Sequence, residues 1–224
     1  MTKTQAAPAA NPAKVIIPRA ILSYPKLFVP EAGPGGGDPN FGATFIPVNE
    51  DGSADTKTID ALKRAAAYVA KEKYGDKAVK MIKDGKLKFP VLKSTDEDAG
   101  HPEGGCYIRP RSKSKPMIVS RFADPKDPTK PAQITDPAEV YPGAICAASV
   151  VAFAYDFQGN KGISFALNGV QKIADGPRLA GAIPANEEFS PLEAAKDLAD
   201  LEGAEAAEAN EDESGGEDIS DLVG

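Results

Sequence analysis

Two strongly β segments, residues 143–157 and 162–173, flank the run Gln158-Gly159-Asn160-Lys161-Gly162. The pattern predicts an antiparallel hairpin with a five-residue, glycine-containing loop, and no other stretch constrains the fold so firmly. Side chains alternate along a strand with a period of two. Ile145, Val151, Phe153, Tyr155 and Phe157 then share a face with Ile163, Phe165 and Leu167 on the return strand. The other face of the first strand is small: Ala144, Cys146, Ala148, Ala152 and Ala154. A strand that is small on one side can curl tightly or lie close under a helix, as a small closed barrel requires.

The rest of the body reads as strands with a helical insert. Residues 15–23 (V-I-I-P-R-A-I-L-S) predict a first strand, with Pro18 marking an edge position or a bulge. A glycine-rich stretch from Gly33 to Pro39 has linker chemistry and lacks the Gly-Lys-Ser/Thr of a phosphate cradle. Residues 40–48 predict a second strand. Asp55 or Thr56 can cap a helix reaching about Lys73, with Ile59, Leu62, Ala66 and Val69 on one face. A shorter helix follows over 76–83, then a short strand over 87–92 and a polar loop over 94–105. Beyond 119 a Pro- and Asp-rich excursion runs to Pro137.

Charge divides the chain. Residues 187–224 hold 14 acids and one lysine, a net of −13, whereas residues 1–186 hold 25 cations and 19 acids, a net of +6. The overall pI of 4.9 therefore describes neither part. A basic body with an acidic tail has the electrostatics of a protein that meets a polyanion and carries its own competitor. The expected organisation is a flexible N-terminus over 1–14, one domain over 15–186 and a mostly disordered tail over 187–224. Within the tail, 192–201 has the pattern of a marginal amphipathic helix. Glu217, Asp218, Ile219, Asp221 and Leu222 resemble a docking peptide, with acids for steering and aliphatics for a pocket. No apolar run is long enough to span a bilayer and no secretory pattern is present, so a soluble, cytoplasmic protein is expected.

The strongest chemical signal is Arg109, Arg111, Lys113 and Lys115, four cations at i, i+2 spacing. In an extended chain they project from one side about 6.8 Å apart, close to the phosphate spacing of an extended single strand. Tyr107 precedes them and Arg121-Phe122 follows, so rings for base stacking flank the stripe. The plainer reading is a solvated edge strand that its lysines protect from aggregation. Tyr155 and Lys161 on the hairpin, and Tyr24 and Phe28 after the first strand, are further candidate contacts. Tyr155 and Phe157 also suit a barrel core, Phe157 more so.

Catalysis is poorly supported. His101 is the only histidine and Cys106 and Cys146 are far apart, which suits buried apolar cysteines better than a zinc site. Asp96, Glu97 and Asp98 read as a solvated loop, since two-metal sites usually gather carboxylates from separate elements. No cofactor is expected.

The stretches R-A-I-L-S-Y-P-K-L-F, R-S-K-S-K-P-M-I-V, V-Y-P-G-A-I-C-A-A-S-V and D-F-Q-G-N-K-G-I-S-F-A-L-N-G-V-Q-K-I carry a resemblance. Over about residues 15–183 the chain resembles a family of phage-encoded single-stranded DNA-binding proteins, similar in plan to those of T7-like phages. The resemblance implies a mainly β OB-fold barrel with an inserted helical segment and an acidic tail. It also implies a non-enzymatic role coating single strands in phage replication and recombination, in the host cytoplasm. Tails of such proteins often finish in an aromatic residue, whereas this one finishes Leu222-Val223-Gly224. The expected partners are single-stranded DNA and, through the tail, replication or recombination proteins, with homodimer formation left open. The competing readings are an RNA-binding or strand-annealing module, a metal-dependent nuclease, and an adaptor whose tail mimics DNA.

Overall fold

The β-rich body combines long strands with two-residue pairing segments set between prolines and glycines. The computed structural model describes residues 11–33, 36–95, 101–157 and 159–179. In order these form β1 (Lys14–Gly33), β2 (Gly36–Pro47), α1 (Thr56–Tyr74), α2 (Lys77–Lys83), β3 (Leu92–Lys93), β4 (Cys106–Tyr107), β5 (Arg111–Ser112), β6 (Met117–Asp124), β7 (Asp127–Gln133), a 3-10 turn (Pro137–Glu139), β8 (Ile145–Phe157) and β9 (Asn160–Ala174). The protein is mainly β with two helices, as the sequence led us to expect.

The sheet closes on itself. Its order runs β5-β2-β1-β8-β9, and β5 pairs back onto β9. That closing contact is parallel, through Arg111 and Ala166, and gives a five-stranded ring of OB-fold plan. Further along β9, β6 continues in parallel (Met117 opposite Gly169, Ser120 opposite Lys172), and β7 adds an outer edge. Pro110 and Pro116 bracket β5 and cannot donate to a ladder, which is why residues 107–119 do not form one strand. The Pro- and Asp-rich excursion is the β6–β7 hairpin, and the expected strand over 87–92 reduces to a bridge at Lys88 and the two residues of β3.

β1 lies between β2 and β8, so Pro18 is not on an edge. Its register shifts between Ile17 and Ala20, so the bulge reading holds. The described part of the glycine-rich stretch pairs within a β1–β2 ribbon, with Gly33 opposite Gly36. The hairpin loop is tighter than expected, because Phe157 pairs with Asn160 and leaves only 158–159 between the strands.

The small face of β8 is the inner one, and Ile163, Phe165 and Leu167, expected to share the face of Phe153 and Phe157, lie opposite its small residues instead. Cys146, Ala148, Val150 and Ala152 are buried, while Phe153 and Phe157 are exposed, Phe157 by 68%. Ala152 pairs with Phe165, Ala154 with Ile163 and Val150 with Leu167. The large residues of β9 therefore share the inner face with the small ones of β8. A five-stranded ring is narrow. With Phe45, Ile17, Leu22 and Phe165 filling it, β8 has room only for small side chains.

α1 packs on β8 and β1 through Ile59, Leu62, Ala65, Ala66 and Ala70. The Asp55 carboxylate accepts from the Thr58 N–H at 3.1 Å and caps the first turn. At the other end Tyr74 Oη donates to the Tyr155 carbonyl at 3.2 Å, tying the helix to the hairpin.

After β9 the chain is pinned to the corner 141–143. Leu179 N–H donates to the Pro142 carbonyl at 3.1 Å, and the Arg178 guanidinium lies 4.1 Å over the Tyr141 ring. Tyr141 Oη sits 3.1 Å from Asp175 Oδ1, and a hydrogen bond from Lys172 leads in holding that carboxyl below its usual range. Gly143 is obligatory here: its φ is +107°, and the Pro177 carbonyl occupies the space a Cβ would need. Gly143 N–H in turn donates to the Leu22 carbonyl at 2.7 Å. No helix among the described residues is long and apolar enough to cross a membrane.

Candidate nucleic-acid interface

Where β1 leaves its regular pairing, the barrel surface opens. The β1–β2 register slips between Ser23 and Lys26, and the residues at the slip are Tyr24 and Pro25. Tyr24 is the one described non-glycine residue with positive φ, at +45°, and its side chain is 74% exposed. A tyrosine held in that region costs about 1–3 kcal/mol, and such outliers gather at ligand-contacting sites. Tyr24 borders a cleft of about 270 Å³ with Asn40, Phe41, Gly42, Arg109 and Arg111. Gly42 lets the two walls meet, since a Cβ there would come within 2.6 Å of the Pro110 carbonyl oxygen.

The four cations of the stripe are all exposed, and Ile108, Pro110 and Pro116 between and beside them are buried. The alternation expected of an extended chain holds over residues 108–111 and is lost at the bend of Lys113 and Ser114, where 113–115 are all exposed; only Arg111 of the four cations lies in a strand. Each cation has found a neighbour. Arg109 lies 4.9 Å over the Tyr107 ring, and the His101 and Tyr107 rings meet edge-on at 5.2 Å. Arg111 pairs across from Gly42 in the cleft. Lys113 lies 3.7 Å from Asp38, both side chains largely in water. Lys115 sits 5.4 Å from the centre of the Phe28 ring. Tyr24, Phe28, Tyr107 and the stripe, read separately from the sequence, thus occupy one stretch of surface.

Arg109 also borders a second cleft, of about 420 Å³, together with Lys88, Phe89, Leu92 and Tyr155. Lys161, at the start of β9, lies 3.5 Å from Asp156. Its carbonyl accepts from the Lys88 N–H at 3.0 Å, so the hairpin end belongs to the same region. Phe157, expected in the barrel core, lies on the surface.

Arg121 and Phe122 are elsewhere. They lie on β6 past Ser120, which is level with Lys172, whereas Arg111 is level with Ala166. Six residues of β9 separate those levels, about 20 Å at strand rise. There Arg121 stacks 4.7 Å over the exposed Phe122 ring. Glu217, Asp218, Ile219, Asp221 and Leu222 lie outside the described residues, as do the remainder of 187–224 and Asp96, Glu97 and Asp98. Among the described residues no three His, Cys, Asp or Glu side chains converge to hold a metal ion.

Sequence reasoning missed Lys26, Asn40 and Phe41 in the first cleft and Lys88, Phe89 and Leu92 in the second. Phe41 reaches the site because it pairs with Ser112 across 71 residues of chain, a register that no local pattern encodes.

A five-stranded ring of OB-fold plan, with cations and rings ranged along one rim, defines a class of ligand-binding barrel. The family described as the single-stranded DNA-binding protein of Enterobacter phage Enc34 matches residues 13–200, and the chain belongs to that family. The structure of the bacteriophage Enc34 single-stranded DNA-binding protein in complex with ssDNA is similar to it, at 17% identity and a TM-score of 0.51. The match covers 75% of this chain and 90% of that one. That likeness establishes the shared fold. Similarity extends to gp2.5, a single-stranded DNA-binding protein encoded by bacteriophage T7, at 13% identity and a TM-score of 0.48, covering 80% of this chain and 97% of that one. No curated protein sequence matches the chain.

Proposed function

We propose that this protein binds single-stranded DNA without sequence preference and coats it during phage replication and recombination in the host cytoplasm. The observation that carries the reading is the single surface shared by Tyr24, Phe28, Tyr107 and the four cations. Arg109, Arg111, Lys113 and Lys115 meet phosphates. Tyr24 and Tyr107 offer faces on which any base can stack, which is why the binding is indifferent to sequence. Tyr155 and Lys161 extend the surface toward the hairpin, and Arg121 with Phe122 forms a separate contact on β6.

The acidic tail competes for the groove when DNA is absent and is released to replication or recombination proteins when DNA arrives. What supports this reading is charge: residues 187–224 carry 14 acids and one lysine, against a net of +6 in residues 1–186.

The test is fluorescence anisotropy with dT oligomers of graded length at several salt concentrations. Five neutralised phosphates give a slope of log K against log salt of about −3.5. Equal or tighter capture of uridine oligomers of the same length would favour the RNA-binding reading, since only the 2′-OH and the thymine methyl differ. No capture of either would overturn the proposal.

A further inference from the structure

The ring is closed by three separate segments laid along one edge of β9. Lys88 bridges Gly162, Arg111 pairs with Ala166, and β6 takes over from Gly169. Among the described residues no segment pairs on that edge opposite Ser164, between the first and second of these. The barrel wall therefore has a notch between these two pairings, four residues of β9 apart, and the second cleft, lined by Ile163, Ser164 and Phe165, is that notch.

Its floor is Phe165, 1% exposed, and Ile163, 2% exposed, so no base can pass through into the core. Leu92, 39% exposed, and the half-buried Phe89 and Tyr155 give it apolar walls. The exposed Lys88 and Arg109 stand on its rim. At about 420 Å³ it falls within the range of about 300–1,000 Å³ that small planar ligands occupy.

We infer that the notch is a second base-accepting subsite of the same DNA groove, a step that rests on the single-stranded DNA reading above. Two features commit it to that occupant. Arg109 lines both clefts, so a strand seated against Tyr24 and Arg111 meets the notch as it continues past the shared guanidinium. An apolar slot with cations at its mouth also matches a nucleotide, whose flat base seeks burial while its phosphate stays at the rim. Lys88 and Leu92, in the segment that follows the helical insert, thereby become DNA contacts.

The experiment compares the intact protein with the double variant Lys88→Ala, Leu92→Ala, using dT oligomers from the shortest that binds to well past the plateau in affinity. Both side chains are on the surface, so the fold tolerates the change, and circular dichroism checks this. The subsite predicts unchanged affinity for the shortest oligomers and a loss of about tenfold for long ones, the scale of one stacked base. The plateau then begins one or two nucleotides earlier. In parallel, dT oligomers carrying 5-iodouracil should cross-link to the segment containing Leu92 or to Tyr155. Unchanged binding at every length, or an equal loss at every length, would overturn the subsite while leaving the Tyr24 cleft standing. Should the intact protein capture no oligomer at all, the reading beneath it fails as well.

Discussion

The ammonium of Lys115 lies 5.4 Å from the centre of the Phe28 ring, although 87 residues separate them. One is the last cation of the 109–115 stripe and the other follows the first strand. Their meeting joins a phosphate-binding feature to a base-stacking one.

If the stripe tracks phosphates, neutralising it changes the salt response as well as the affinity. Replacing Arg109, Arg111, Lys113 and Lys115 together with Gln should flatten the salt slope by about 2.8, and Lys115→Gln alone by about 0.7. Anisotropy titrations over a range of salt measure both. An unaltered slope in the fourfold variant would put the groove elsewhere.

Tyr24 separates stability from binding. At φ +45° glycine is at ease and tyrosine is not, so Tyr24→Gly should raise stability by about 1 kcal/mol. For a body of this size the melting temperature should rise by about 2–4 °C. The same change removes a ring 74% exposed in the cleft and should weaken dT binding by about 5- to 50-fold. A variant that is less stable, or that binds as well, contradicts the assignment.

Gly42→Ala tests how the cleft is held together. The added methyl would sit 2.6 Å from the Pro110 carbonyl oxygen, which is backbone and cannot swing away. We expect a destabilisation of about 1–3 kcal/mol from overpacking, with weakened DNA binding as Arg109 and Arg111 are pushed off β2. Thermal melts and anisotropy on the same sample report the two effects.

Cys146 lies at 0% exposure and burial pushes its thiol up to about 12 from an ordinary 9.0, with Lys172 opposing part of the rise. The folded state holds the proton that the unfolded state releases above pH 9, so this contribution to stability is full below pH 9 and falls between 9 and 12. Through that window the loss is about 1.4 kcal/mol per pH unit. Denaturant melts from pH 8 to 11 should show a drop that Cys146→Ala lacks. In the native protein at pH 8 the thiol should resist thiol-specific reagents until unfolding.

Removing residues 187–224 should tighten DNA binding at low salt and flatten the salt response there, because an internal polyanion no longer competes. Affinity unchanged by the deletion would rule out the competition.

The helix was readable in detail because its signals are local. Asp55 caps it, Ile59, Leu62 and Ala66 recur at helical spacing, and Gly75 ends it. The stripe was readable in part: residues 108–111 alternate as an extended chain does, while the bend at Lys113 and Ser114 does not. The faces of β8 were not. A period of two says that Phe153 and Ala152 point in opposite directions, and it is silent on which direction is inward.

Local sequence specified a hairpin from segments 143–157 and 162–173, a helix from about 56 to 73, a basic body and an acidic terminal segment. Neighbouring residues settle such matters through propensity, spacing and charge. Only the tertiary structure decided that Ala148 and Val150 face inward, that Phe28 lies under Lys115, and that Arg109 divides two clefts. These depend on strand register and on the width of a closed ring, which are set by how segments tens of residues apart compete to fill one small interior.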